Sequence, residues 1–511
     1  MSEQIHDLVG VGIGPFNLGL ACLSEPLELD AVFLDARAGF AWHHGLMLDD
    51  ATIQVPFLAD LVTLADPTSP YSFLSYLKQV GRLYPFYIRE NFQPLRAEYD
   101  AYCRWASERV SGLRWGRRVV DVRREPTPES RRGRGYGPDD DNDDHNPEDR
   151  IDDEVGPLYR VTAITSEGTE SYLARHLVLG IGSTPWAPVD LDSLDGDGRV
   201  ALHAADYLHR REELLGLESV TVVGSGQSAA EIYHDLLAAS GGDGPRVDWI
   251  TRSPRFFPME YTKLTLEMTS PEYIDHFHGL GPDKRDRMLR QQRSLYKGIN
   301  ADLINQIHDL LYRRTAQGLT NGLLVAATAL DDATLSGPEI RLALHCSDTG
   351  RRWEHRSGGL VMATGYSPTT PRFLDAIAGD IDWERGGNTG PGFNGQLSSP
   401  GRDTSDRPRR YRVARDHTVD RAHSRIHVQN AEEHTHGLSA PDLGMGAMRN
   451  SIILRSITGR EVYPVETSIA FQKFGAPAHD REPTRKHADP AHAESGHAHS
   501  RHADHPAQEA R

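Results

Sequence analysis

Two short turns carry the residues best placed for chemistry. GVGIGPFN begins at Gly10 and GSGQSAAE at Gly224. Each follows a β-branched or apolar run and opens a helical pattern, the setting in which free N–H groups at a helix start receive a pyrophosphate. In the first turn Gly10 permits the tight bend, Gly12 lets the backbone approach the anion, and Gly14, Pro15 and Asn17 complete the candidate set. Asp35 ends the next strand pattern, where a carboxylate can accept hydrogen bonds from ribose hydroxyls. In the second turn the candidates are Gly224, Ser225, Gly226, Gln227 and Ser228, with Ala229 at the helix-packing position. Its next strand, RVDWITRSPR, ends in Thr251, Arg252 and Ser253 instead of an acid. An acid there would repel a 2′-phosphate and a guanidinium can bind one, so NADPH is favoured over NADH unless Arg252 merely faces solvent. Two dinucleotide sites on one chain suggest FAD at the first and NADPH at the second.

The elements that must position these turns alternate strand, turn and helix, first over IHDLVGVGIGPFNLGLACL and LELDAVFLDA, then again in SVTVVGSGQSAAEIYHDLLAA. The expected fold is therefore α/β, with two Rossmann-like dinucleotide-binding domains and a smaller, mainly helical substrate region. The expected division is 1–190 for the first part of the FAD domain, 191–355 for the NADPH domain with substrate-region helices over about 260–320, and 356–475 for the return of the FAD domain. LVLGIGSTPWAP and GLVMATGYSP look like buried strands ending in glycine turns where the chain crosses between domains, which marks Gly182, Pro185, Thr364 and Gly365 as hinge or flavin-proximal positions. Residues 127–154 and 476–511 have almost no large apolar side chains and read as a disordered insertion and a disordered, histidine-rich tail. No metal site is assigned to that tail.

A chain of 511 residues is too long for one ordinary core. Its net charge of −17, with no basic patch, argues against nucleic acid as a partner. Cys22, Cys103 and Cys346 lie far apart, so neither a disulfide framework nor a thiolate metal site is expected. No apolar run reaches the roughly 18 residues a membrane span needs, and the start MSEQIHDLVG lacks a basic n-region. A cytoplasmic location is expected.

In this order, GVGIGPFNLGLA, the WHHG run, IQVPFLADLVTLADPTSPYSFLSYL, GSGQSAAEI, MATGY and HTHGLS resemble the N-hydroxylating flavin monooxygenases, the ornithine, lysine and diamine N-monooxygenases of hydroxamate siderophore biosynthesis. The likeness runs from about residue 5 to residue 470, with one departure at Gly358, where the family often has an acid. It implies that NADPH reduces FAD, that molecular oxygen adds at flavin C4a, and that one oxygen atom passes to a primary amine. It also implies a homo-oligomer, commonly a tetramer. By the same resemblance Gln54 lies near flavin C4a and Trp42 and His43 line the flavin side. The protein's own task is then orientation, dryness and a neutral amine, which needs desolvation because a free alkylamine has a pKa of about 10.4.

Residues 53–62, IQVPFLADLV, read as core in composition, but the resemblance makes them informative about substrate. Amino-acid hydroxylases usually read FxKDL there, and the lysine holds the substrate carboxylate; this chain has Ala59. Leu266 replaces a carboxylate-contacting asparagine, Gly444 replaces a frequent serine, and Leu295 joins the substrate set. The losses at 59, 266 and 444 remove polar groups that would hold an amino acid's head. A buried carboxylate without its cation costs several kcal/mol, so a diamine is favoured, cadaverine or putrescine, with Glu260, Glu267 and Asp442 as candidate anchors for the far ammonium. EYTKLTLEMTSPEYIDHF is most like the diamine hydroxylases of desferrioxamine-type pathways. One methylene is worth only about 1–3 kcal/mol, and the two diamines stay undivided. L-Lysine N6-hydroxylation survives if Lys263 or Lys297 replaces the missing lysine. A disulfide reductase would need a cysteine pair beside the flavin, and a non-catalytic flavoprotein would have less use for two intact glycine turns.

Overall fold

The computed structural model describes residues 3–125, 156–241, 244–320, 322–384 and 410–476. The insertion expected at 127–154 and the tail from 477 onward lie outside the described residues. The chain divides into a unit Met1–Gln472 and a unit Lys473–Arg511, and in the latter residues 473–476 carry no helix or strand.

In the larger unit the β-branched runs do form strands. The first sheet runs Leu113–Trp115, Ala31–Asp35, Ile5–Val11, Gly168–Leu179, Leu158–Thr165, Arg118–Glu125. Ile5–Val11 pairs in parallel with both neighbours, and the last residues of Gly168–Leu179 pair in parallel with Ile426–Val428. The earlier half of that long strand instead joins an antiparallel meander with Leu158–Thr165 and Arg118–Glu125. One strand thus belongs to a Rossmann-like core and to the meander beside it.

The second sheet, Leu324–Val325, Arg246–Ile250, Ser219–Val223, Gly359–Met362, Val200–His203, is parallel throughout. Ser219–Val223, Gly359–Met362 and Val200–His203 are buried along their whole length, as expected of a parallel sheet covered on both faces. Helix Gln227–Ala239 buries Ala229, Ala230, Ile232, Tyr233, Leu236 and Leu237 against it. A three-stranded antiparallel sheet, Thr328–Ser336, Glu339–Cys346, Arg352–Ser357, was not foreseen. A register shift between Leu330 and Asp332 breaks the alternation of its first strand.

The two crossovers meet. Tyr366–Ser367 pairs with Thr184–Pro185, Trp186 N–H donates to Gly365 at 3.0 Å, and Thr364 Oγ1 donates to the Trp186 carbonyl. Gly182 and Gly365 hold φ of +70° and +83°, conformations open to glycine at little cost.

Helices Lys263–Leu266, Pro271–His278, Pro282–Gln291 and Ala301–Ala316 occupy the expected substrate region. Ser270 caps the second of these by accepting from Tyr273 N–H, with Pro271 at the first helical position. Residues 53–62 form no helix or strand. Ile53, Ala59, Leu61 and Val62 are buried as expected, whereas Leu58 is 43 % exposed. The loop is organised by Asp60, whose carboxylate accepts from the N–H groups of Val62, Thr63 and Phe73.

Candidate active site

Each glycine of the first turn has its own reason to lack a side chain. A Cβ on Gly10 would lie 2.2 Å from the Phe33 ring. Gly12 has φ +87°, and a Cβ there would sit 2.5 Å from the Gly180 carbonyl oxygen. Gly14 caps helix Pro15–Ser24 without any side-chain hydrogen bond, and nothing lies within 4 Å of an added Cβ. Open N–H groups beside open space fit a pyrophosphate.

Asn17 turns inward. It is 1 % exposed, donates to the Gly12 carbonyl at 2.8 Å and accepts from Gln429 at 2.6 Å, so it braces the turn from beneath. Asp35 accepts from Ile13 N–H at 2.7 Å, from Arg37 N–H at 2.8 Å, and from the Arg37 guanidinium at 2.7 and 2.9 Å. Burial by itself would raise this carboxyl, but Arg37 and the two N–H groups hold it below its ordinary range. All four lone-pair directions are engaged, and Arg37, two residues after the acid, was the local signal for this arrangement.

In the second turn a Cβ on Gly224 would lie 2.2 Å from the Ala363 carbonyl oxygen, and Gly226 caps helix Gln227–Ala239 with no side-chain cap. Gly224, Ser225, Gly226, Gln227, Ser228 and Arg252 all line one cleft of about 900 Å³. The protein packed around Arg252 and, second, Arg293 lower its guanidinium to about 10, which leaves it charged at neutral pH. Arg293 lines the same cleft and was missed. Two arginines without an acid at the strand end fit a 2′-phosphate.

The same cleft brings together Trp42, His43, Gln54, Thr364, Gly365, Leu266 and Leu295, together with Glu260, Asp442 and Lys297. His43, at φ +50°, is lowered to about 4 by the protein around its ring and then by Arg96, so the imidazole is neutral. Lys297 Nζ lies 3.2 Å from Glu433, which also accepts from the Tyr296 hydroxyl at 2.5 Å. Glu433, Tyr296 and Arg96 line the cleft and had no signal in local sequence. Lys263 and Glu267 do not line it; Glu267 accepts from the Gln472 N–H at 3.1 Å.

Ala59 and Gly444 stand just behind the wall that Asp442 and Leu443 form. A Cβ built on Gly444 lies 3.5 Å from Ala59 Cβ and 3.1 Å from Asp442 Oδ1. Asp442 accepts from Gly444 N–H at 2.7 Å, and no cation lies within ion-pair distance of it among the described residues. Burial raises its carboxyl despite the Gly444 and Met445 N–H groups and the charge of Arg449, which is itself paired with Glu432 at 2.8 Å. Cys22 and Cys103 are buried free thiols, and no cysteine lines the cleft.

Two Rossmann-like halves presenting open, glycine-lined helix starts define a protein that binds two dinucleotides. Residues 4–368 match the L-lysine 6-monooxygenase/L-ornithine 5-monooxygenase family, and the chain belongs to it. The resemblance read from the motifs is thereby borne out. A putrescine N-hydroxylase of Shewanella oneidensis is 42 % identical over 93 % of this chain and 85 % of its own length. The FAD-bound cadaverine monooxygenase of the desferrioxamine pathway of Erwinia amylovora is 47 % identical, superposes with a TM-score of 0.80, and is matched over 93 % of this chain and all of that one. The ornithine N-hydroxylase of Kutzneria sp. 744, solved with reduced FAD, NADP+ and L-ornithine, is 26 % identical with a TM-score of 0.72, over 90 % of this chain and 100 % of that one.

Proposed function

We propose that this enzyme N-hydroxylates one primary amine of an aliphatic diamine, cadaverine or putrescine, using FAD, NADPH and molecular oxygen, in hydroxamate siderophore biosynthesis. The observation that carries the substrate class is the Asp442 carboxylate beside Ala59 and Gly444, with no cation within ion-pair distance among the described residues, Arg449 nearby being paired with Glu432. A lysine at position 59 would put an ammonium near this acid and offer it to a substrate carboxylate. With alanine there, the diamine's own distal ammonium takes that place, and a carboxylate raised by burial gains most from an arriving cation.

FAD rests on the turn from Gly10 to Pro15, with Trp42, His43, Gln54, Thr364 and Gly365 toward its reactive end, and is held by residues 1–190 and by the chain that returns to the first sheet as Ile426–Val428. NADPH rests on Gly224 to Ser228, with Arg252 at its 2′-phosphate, held by residues 191–355 together with Gly359–Met362, whose pairing with Ser219–Val223 carries this half past the expected boundary at 355. Bound FAD supplies the oxygen-transfer chemistry and NADPH the hydride. The chain's contribution is to orient the diamine between Asp442 and the flavin and to exclude water. Its apolar lining of Leu266, Leu295, Leu438 and Leu443 favours the uncharged form of the reacting amine.

The lysine reading would need a cation for the α-carboxylate. Lys297 is already paired with Glu433, and Lys263 lies outside the cleft lining, so neither replaces the missing lysine. We also place the enzyme in the cytoplasm as a homo-oligomer; among the described residues no helix is long and apolar enough to cross a membrane. Steady-state NADPH oxidation and hydroxylamine yield with cadaverine, putrescine, L-lysine and L-ornithine test the proposal. A diamine should give the highest coupled kcat/KM, and a higher value with lysine would overturn the substrate assignment.

A further inference from the structure

Gln54 is tied to a residue 246 positions away. Asn300 Nδ2 donates to Gln54 Oε1 at 3.1 Å, while Asn300 Oδ1 accepts from the N–H groups of Asp302 and Leu303 at 2.9 and 3.2 Å as the cap of helix Ala301–Ala316. Because two backbone donors occupy that oxygen, the Asn300 amide has one orientation and its NH2 must face Gln54. The glutamine carbonyl is thereby claimed, and its NH2 is left for the Thr52 carbonyl at 3.3 Å and for the cleft that Gln54 lines.

The order continues into the other half of the molecule. The Asn300 backbone N–H donates to Gln227 Oε1 at 2.8 Å, and Gln227 Nε2 donates to Glu231 Oε1 at 2.9 Å. Glu231 in turn receives both guanidinium nitrogens of Arg96, at 2.9 and 3.1 Å, in a pair largely closed to solvent. Arg96 only donates and Glu231 only accepts, so the direction of the Gln227 amide is set from that end and its oxygen is left to hold the Asn300 backbone.

We propose that Asn300 is a positioning residue for Gln54. It fixes the glutamine amide so that a donor, not a carbonyl, is presented on the flavin side of the cleft, while its own backbone N–H is held by Gln227 beside the second glycine turn. A donor there stabilises negative charge developing in the cleft, which a carbonyl would repel. The inference rests on the proposed placement of Gln54 beside FAD.

Two substitutions separate the donor from the cap. Asn300→Asp and Asn300→Ser both keep an oxygen that caps the helix, and both lose the NH2 that holds Gln54. In the FAD-loaded enzyme each should keep its thermal midpoint and flavin content, shift the absorption maximum of bound flavin, and lower hydroxylamine formed per NADPH oxidised by roughly 10-fold, in keeping with the cost of small misplacements. The flavin spectrum is read without amine, so a wrong substrate assignment would leave that result intact. Wild-type spectrum and coupling in both variants would overturn the proposal. An effect confined to Asn300→Asp would overturn it too, since that would be the work of a new charge. If one variant fails to fold, the other decides by the same readings.

Discussion

A Cβ placed on Gly444 would touch the Cβ of Ala59 at 3.5 Å, although 384 residues of chain lie between them. Two positions at which this chain lacks polar groups typical of the amino-acid hydroxylases are therefore one place in space, beside Asp442. Replacing Ala59 by lysine should put an ammonium against Asp442 and expel the substrate's distal one. Coupled kcat/KM for the diamine is expected to fall by roughly 30-fold or more, about 2 kcal/mol, without lysine hydroxylation necessarily appearing. Unchanged diamine kinetics would mean that Ala59 does not bear on the substrate.

Asp442→Asn keeps the shape and removes the charge. Loss of the ammonium's partner should cost about 2–4 kcal/mol, read as a rise in the diamine KM with flavin content unchanged. The same substitution should matter far less for a monoamine of similar length. Equal losses for both would show that Asp442 shapes the loop and does not hold an ammonium.

The first turn separates two kinds of glycine. Gly12→Ala forces φ +87° on a residue with a Cβ and drives that carbon to 2.5 Å from a backbone oxygen, so the apo-protein itself should lose about 1–3 kcal/mol. Gly14→Ala meets nothing within 4 Å, so apo-protein stability should be kept while FAD affinity falls. Thermal unfolding of apo-protein and fluorimetric FAD titration together distinguish them.

Arg252→Ala and Arg293→Ala should each raise the KM for NADPH more than that for NADH, because only NADPH carries the 2′-phosphate. Each lost charge-assisted contact is worth about 1.5–3 kcal/mol. Direct titration with 2′,5′-ADP checks the same point without turnover, and equal weakening toward 5′-AMP would remove the phosphate from the argument.

Stability should fall on mild acidification. Burial is the main reason that His427 lies at about 4 and His176 and His434 at about 3. Unfolded, each would titrate near 6.5, so between about pH 6.5 and pH 4 the unfolded chain binds more protons than the folded one. Their contribution is whole above pH 6.5 and is lost as pH falls, by up to roughly 4 kcal/mol per pH unit for the three together. Buried Asp420, raised to about 6 chiefly by burial, works the other way and trims the slope. Denaturant unfolding at several pH values should show the fall, and His427→Asn should flatten it.

What the sequence determined by itself was local. Gly10, Gly12 and Gly14 are legible because a steric demand on the backbone is met or failed within a few residues, and the buried strand Ser219–Val223 is legible because its pattern repeats over short range. Ala59 was legible only against a family pattern, as an absence. Even Arg37, two residues from Asp35, was passed over, since a ribose role needs a free carboxylate and only the folded loop reveals one already engaged. Tertiary structure alone decided that Ala59 and Gly444 share a wall with Asp442, that Lys297 is paired with Glu433, and that Asn300 sets the direction of Gln54. These relationships depend on where the chain returns after hundreds of residues, and short-range side-chain chemistry acts only between groups that packing has already brought within a few ångströms.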